Sequence, residues 1–250
     1  MNSYYGELCT KLYEVDKSIA AGKELEFYLS YADRDNSTFR VLEPMCGNGR
    51  MLIPFMLNGI QIEGFDISED MLKACREKSE RLNLMPHLTL QKIEEFVSPH
   101  RYDLIMIPFG SFSLLPTDLV GPSLANMKAV LADQGKLLLT TMMKYDGIVE
   151  IPEWKETGRT EIDGECIVTY RKVQYDMEQS MLLTQLKYEL VVNGQVVQTE
   201  LMDFPLRLYN DGEFEALLEE NGFQYVLHQV KDGYGEGTRF HVFECSLTRA

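Results

Sequence analysis

Four residues carry the first chemical signal in this chain: Glu43, Gly47, Gly49 and Asp66. Three of them lie in Val41-Leu42-Glu43-Pro44-Met45-Cys46-Gly47-Asn48-Gly49-Arg50, a strand-like run that breaks into a glycine turn. The fourth sits in Gly64-Phe65-Asp66-Ile67-Ser68, where a second strand-like run stops at an acid 19 residues after Gly47. Glycines at such a turn let the backbone approach a ligand, and an acid at that spacing can grip ribose hydroxyls. The pattern is a mononucleotide-binding half. It is not the dinucleotide fingerprint, which needs a third glycine three residues after Gly49, where this chain has Leu52. Glu43, four residues before the first glycine, is also foreign to that fingerprint. A nicotinamide oxidoreductase is therefore disfavoured. A glycine turn plus a helix cap in an unrelated α/β protein is a weaker account of both motifs together.

Taken together, Glu43-x-x-x-Gly47-x-Gly49 and Phe65-Asp66-Ile67-Ser68-x-x-Met71-Leu72 resemble the class I S-adenosylmethionine-dependent methyltransferases. The resemblance implies S-adenosylmethionine as cofactor and S-adenosylhomocysteine as its product. It sets the backbone of Gly47 and Gly49 against the methionine part, at the electropositive start of the next helix. Met45, Cys46, Asn48 and Arg50 join this cofactor-binding set, with Cys46 expected as a small packed side chain and not a nucleophile. Glu43 would orient the cofactor's ammonium group, and Asp66 would accept from both ribose hydroxyls. Ile67 and Met71 would lie against adenine. Many relatives carry an acid after the third strand, but this chain has Gln91, Lys92 and Ile93 there and no acid until Glu94. Adenine is then expected to meet backbone or Gln91.

By the same resemblance, Ile107-Pro108-Phe109-Gly110-Ser111-Phe112-Ser113 shapes the space around the transferable methyl. Ile107 and Pro108 are expected on the cofactor, Phe109 and Phe112 as acceptor walls, and Ser111 as a hydrogen-bond partner of the acceptor. Tyr4, Tyr5 and Tyr13 resemble an aromatic N-terminal lid, whose ring faces attract a sulfonium cation and whose closure excludes water. Arg207 and Tyr209 are further substrate-site candidates. No acid/base dyad is evident, and the reaction does not demand one, so no catalytic residue is assigned.

The elements that must position these residues follow from periodicity. Residues 4–33 read as two helices separated at Gly22. Strands are expected at 39–42, 60–65, 88–91, 102–107 and 136–142, with helices at 50–57, from Ser68 towards Leu82, and at 119–131. Ser68 should cap its helix, with Glu69 and Asp70 favourably placed in the first turn. Such alternation specifies a parallel, doubly wound sheet. From about 160 to 209 the pattern turns antiparallel, with a hairpin at Asn193-Gly194. A helix at 213–221 and strands at 223–229 and 239–247 complete the chain.

This organisation resembles the small-molecule branch of the family, including the sugar-amine and glycine N-methyltransferase type. It implies an α/β fold: a Rossmann-like seven-stranded doubly wound sheet, last strand antiparallel, with an antiparallel β insert and an N-terminal helical lid. The expected division is residues 1–35 as lid, 36–148 and 206–250 as cofactor-binding core, and 149–205 as insert, covering substrate or contacting a second copy.

Composition narrows the partners. At 250 residues, with 45% hydrophobic and 25% charged residues, the chain reads as an ordinary soluble domain. No apolar run approaches a membrane span, and residues 1–7 do not read as a signal peptide. Cysteines 9, 46, 75, 166 and 245 are scattered, which suits reduced thiols in a cytoplasm, and histidines 87, 100, 228 and 241 lack metal-ligand spacing. No metal is expected. With 24 basic against 39 acidic residues, the net charge of −15 argues against nucleic acid. The expected activity is methyl transfer to a nitrogen or oxygen of a small-molecule acceptor, by a monomer or homodimer. The competing reading is a non-catalytic sensor or scaffold that binds the cofactor or its product; an open apolar cavity beyond the methyl favours the enzyme.

Overall fold

The computed structural model describes residues 5–17, 19–232 and 239–248; Tyr4 of the expected lid lies outside them. Two helices open the chain, α1 (Glu7–Asp16) and α2 (Gly22–Leu29). Alternating units follow: β1 (Val41–Pro44), α3 (Leu52–Leu57), β2 (Ile62–Asp66), α4 (Glu69–Arg81), β3 (His87–Leu90), β4 (Tyr102–Ile107), α5 (Thr117–Val130) and β5 (Leu131–Leu139). The short β6 (Met142–Met143) leads to four long strands: β7 (Ile151–Ile162), β8 (Glu165–Asp176), β9 (Met181–Val192) and β10 (Gln195–Tyr209). The chain closes with α6 (Glu213–Glu220), β11 (Phe223–Lys231) and β12 (Arg239–Leu247).

Seven strands form the main sheet in the order β11-β12-β5-β4-β1-β2-β3. β1 to β5 pair in parallel, and β12 runs antiparallel to both β5 and β11. The last strand is thus the reversed one, as expected. The apolar run of β4 has the same cause as its burial: Ile105 and Ile107 face one core, Leu104 and Met106 the other. Strand order reverses at β1, between β2 and β4, so a crevice opens at the carboxyl ends of these three strands.

The second sheet has the order β6-β10-β9-β8-β7. Its β9–β10 hairpin turns at Asn193 (φ +51°) and Gly194 (φ +76°), the backbone such a two-residue turn requires. One face of the sheet carries Ile167, Tyr188, Leu190 and Met202, covered by Leu8 and Cys9 of α1.

Several element boundaries differ from the periodicity. β1 runs two residues beyond the expected 39–42, because pairing with β2 continues until the bend at Met45, where Cys46 N–H donates to the Phe65 carbonyl (3.0 Å). β5 starts at Leu131, directly after α5, since Leu131 already pairs with Tyr102 before the register shifts. The antiparallel region begins at Ile151, well before 160. β7 is a bulged sheet edge bearing Glu153, Lys155, Glu156 and Arg159, and such charged edges lack the alternation that reveals a strand.

Candidate functional site

At the end of β1 the chain turns through Met45 (φ +57°), Gly47 (φ +52°) and Gly49 (φ +76°) before α3 begins at Leu52, two residues later than expected. The Gly47 N–H donates to Asp66 Oδ2 at 2.9 Å. The other carboxylate oxygen, Oδ1, accepts from Ser68 N–H at 2.8 Å, and Ser68 Oγ caps α4 by accepting from Met71 N–H at 3.1 Å. Asp66 is therefore gripped from both sides by backbone, with lone pairs left over for a ligand. The two glycines serve different purposes. A Cβ on Gly47 would meet only Met71 Sδ, at 4.0 Å, so this bend faces open space. A Cβ on Gly49 would overlap Cys75 Sγ and press on Ile53 at 3.2 Å, so that glycine permits close helix packing.

Glu43 lies beneath the bend, 3% exposed, with Oε2 buried and unpartnered. Burial pushes its carboxyl well above the usual range; Arg50 opposes that shift, while Asp66 and Glu24 add to it. Burial likewise raises Asp66, against the pull of its backbone hydrogen bonds. Arg50 is held by both oxygens of the fully buried Glu24, at the start of α2. A buried carboxylate with an orphan oxygen costs free energy unless a ligand cation completes it.

Helix α1 straps this bend to the second sheet. Its first-turn N–H groups, at Leu8 and Cys9, donate to the Glu200 carboxylate of β10 (2.8 and 3.3 Å), filling the need of an uncapped helix start. Its far end carries Glu14, which accepts from Asn48 Nδ2 and pairs with Lys78 of α4 at 2.9 Å. Tyr5 is tied down by Ser68 Oγ donating to its carbonyl (2.8 Å), and its ring meets Tyr13 edge-on at 6.0 Å.

The crevice is a cavity of about 370 Å³, within the roughly 300–1,000 Å³ of small-molecule sites. Of the residues singled out from sequence, Glu43, Met45, Cys46, Gly47, Asn48 and Arg50 line its floor, with Asp66, Ile67 and Met71 beside them. Gln91, Lys92 and Ile93 line one end, where the Lys92 ammonium turns away to Glu95 (3.0 Å). Pro108, Phe109 and Ser111 line the other end, with Tyr5 and Tyr13 above.

Five residues of that set do not line it. Gly49 is packed as described, and Ile107 is core. Phe112 and Tyr209 are fully buried against Phe214, at ring distances of 5.8 and 4.9 Å. Arg207 pairs with Glu213 at 2.6 Å and stacks on Tyr209. Conversely, Met51, Glu94, Leu114, Leu115, Pro116, Leu119 and Pro205 line the cavity without having been singled out for it. Met51, Glu94, Leu114, Leu115 and Pro116 belong to the connections that follow β1, β3 and β4, whereas Leu119 lies in α5 and Pro205 inside β10. Glu24, which holds Arg50 from beneath, carries no signal in the sequence.

Among the described residues, no group of three or more His, Cys, Asp or Glu side chains is arranged to hold a metal, all five cysteines are free thiols, and no helix is long and apolar enough to cross a membrane.

Comparisons with known proteins agree with this geometry. Residues 41–135, from β1 into β5, match the family described as a methyltransferase domain. A tRNA (guanine(10)-N2)-dimethyltransferase of Pyrococcus abyssi is 28% identical over 134 residues, 49% of this chain, and the match spans only 40% of that protein. Solved structures share the fold over nearly the whole chain. An S-adenosylmethionine-dependent methyltransferase of Clostridium acetobutylicum is 15% identical, with 96% of this chain and 97% of that one covered and a TM-score of 0.74. The CcbJ methyltransferase of Streptomyces caelestis is 19% identical, with 98% of each covered and a TM-score of 0.74. A sugar N-methyltransferase of a Streptoalloteichus species is 15% identical, with 100% of this chain and 94% of that one covered and a TM-score of 0.73.

Proposed function

We propose that this chain, whose residues 41–135 are a methyltransferase domain in a class I methyltransferase fold, binds S-adenosylmethionine at the end of β1 and methylates a nitrogen or oxygen of a small-molecule acceptor. One observation carries the reading: the open bend at Gly47 and the Asp66 carboxylate meet at 2.9 Å within a single cavity floored by the unpartnered Glu43 oxygen. In this reading Asp66 takes the ribose hydroxyls, and Ile67 with Ile93 brackets adenine. Glu43 takes the ammonium of the methionine end. The bound cofactor supplies a methyl on a sulfonium, with a neutral thioether as leaving group.

The protein's own work is placement. Holding an acceptor about 3–3.5 Å from the methyl and in line with its bond is a proximity effect worth up to roughly 7–11 kcal/mol. Phe109, Ser111, Leu114 and Pro205 extend the cavity past the glycine bend, giving the open, largely apolar room that suits an acceptor better than a closed scaffold. An amine loses its proton more readily when desolvated there, without a dedicated base. A net charge of −15 favours a small acceptor over a polyanion, and five free thiols suit a reducing, cytoplasmic compartment. The test is calorimetric titration with S-adenosylhomocysteine, followed by transfer of labelled methyl from S-adenosylmethionine to pooled small amines and alcohols. No heat at millimolar ligand ends the proposal.

The same titration should depend on pH with a defined sign. In the free protein burial favours protonated Glu43, whereas a bound ammonium favours the carboxylate, so binding releases a proton. Affinity is expected to rise with pH through the raised Glu43 range and then level off. Heats measured in two buffers of different ionisation enthalpy should reveal the released proton; proton uptake would contradict the assignment of Glu43. The stability of the ligand-free protein moves the opposite way, falling as pH climbs above the ordinary carboxylate pKa, because the folded state holds the proton longer.

A further inference from the structure

The acid that holds Arg50 does not line the cavity and belongs to neither motif of the glycine bend. Glu24 sits in the first turn of α2, fully buried. Both of its oxygens accept from the Arg50 guanidinium, Oε1 from Nη1 at 3.0 Å and Oε2 from Nη2. Paired hydrogen bonds of this kind fix the plane of the guanidinium as well as its charge. The guanidinium also lies over the Phe109 ring, 4.5 Å from its centroid, and the Arg50 carbonyl accepts from Ala20 N–H at 2.8 Å. Arg50 is thus tied to the α1–α2 connection by its backbone and to α2 by its side chain.

This clamp decides what Glu43 can do. Glu43 and Arg50, seven residues apart across the bend, both line the cavity floor. Glu43 Oε2 is buried with no hydrogen-bond partner, which leaves it open to a cation. The Arg50 charge favours the Glu43 carboxylate, while Asp66 of β2 and Glu24 of α2 act in the opposite sense. Asp66 is itself engaged by the Gly47 and Ser68 N–H groups. Cys46 of the bend, Cys75 of α4 and Tyr13 of α1 also face Glu43, and burial holds all three neutral, Cys75 and Tyr13 both pushed up to about 12. One guanidinium therefore acts on two buried carboxyls, and Glu24 takes its hydrogen bonds.

We infer that Glu24 is a positioning residue: it withholds Arg50 from Glu43 and so keeps the orphan Glu43 oxygen open to the ammonium of a bound amino-acid end. The inference rests on the cavity being the cofactor site, with Glu43 on that ammonium. Without the clamp, Arg50 pairs with Glu43, and an internal salt bridge fills the place that the ligand's cation needs. Because Glu24 arrives on α2, docking of that helix and readiness of the site become one event.

The test follows the proton released when S-adenosylhomocysteine binds the full chain, by calorimetry in two buffers of different ionisation enthalpy. In the unaltered protein burial keeps Glu43 protonated, and the arriving ammonium displaces that proton. In Glu24→Gln, which keeps the shape and removes the charge, Arg50 turns to Glu43 and ionises it beforehand. Proton release should then vanish, and affinity should fall roughly ten- to a hundredfold through loss of one charge-assisted contact. Adding Arg50→Met to Glu24→Gln removes the competitor, so proton release should return. A Glu24 that served the fold alone would lower affinity without changing the proton count. Unchanged proton release in Glu24→Gln, or none in the double variant, overturns the inference. The double variant buries no charge at this pair, and its proton count decides the matter if Glu24→Gln does not fold. Binding to the unaltered protein with no proton released would take Glu43 off the ammonium and overturn the inference too. Failure of the unaltered protein to bind S-adenosylhomocysteine would instead sink the cofactor reading, and the role of Glu24 with it.

Discussion

Asp66→Ala is expected to lower the affinity for S-adenosylhomocysteine by about 2–4 kcal/mol, roughly 30- to 1,000-fold, the cost of losing a charged acceptor shared by two buried hydroxyls. The structure adds a second cost to this one. Both oxygens of Asp66 already hold backbone N–H groups, Gly47 at 2.9 Å and Ser68 at 2.8 Å, so alanine also releases the bend from the end of β2. Asp66→Asn separates the two effects. The amide keeps the shape and one accepting oxygen, so the fold should hold while one side of the grip is lost. Calorimetry gives the affinity, and thermal melting of each ligand-free variant shows whether the scaffold survived. Affinity unaltered in both variants would mean that the ribose is anchored at some other group.

Gly49→Ala should act on stability, by about 2–5 kcal/mol, because two separate penalties coincide. A left-handed backbone costs a residue with a Cβ roughly 1–2 kcal/mol, and overpacking a closed core costs about 1–3 kcal/mol. Gly49 has φ +76°, and its added Cβ would run into Cys75 Sγ, on a residue with no exposure. In Gly47→Ala only the first penalty applies, since its Cβ faces open space, so the protein should remain folded and lose ligand. Urea unfolding separates them: a lower midpoint at constant slope for Gly49→Ala, and a smaller shift for Gly47→Ala. The pair Gly49→Ala and Cys75→Ala together should recover the overlap component and not the backbone component. If Gly47→Ala proved the less stable of the two, the division of labour between these glycines would be wrong.

These two predictions draw on the part of the molecule that was legible in sequence. Gly47, Asp66 and Ser68 lie within 22 residues of one another, and each acts through a local rule: a positive φ, a strand end, a helix cap. The parallel sheet was legible for a similar reason, because strands such as β4, covered on both faces, read as unbroken apolar runs. The charged edge strand β7 was not, since an edge half in water need not alternate.

By itself, then, the sequence determined the strand–turn–helix frame, its glycine bend and the acid beside it, because short-range backbone geometry dictates residue type there. Tertiary structure alone decided which side chains reach the crevice. Tyr209 and Phe112 went into the core against Phe214, and Arg207 turned to Glu213. Glu24 came in under Arg50, and Glu200 reached the start of α1 across 192 residues of chain. Contacts between partners so far apart are fixed by how whole elements pack, and no local spacing encodes them.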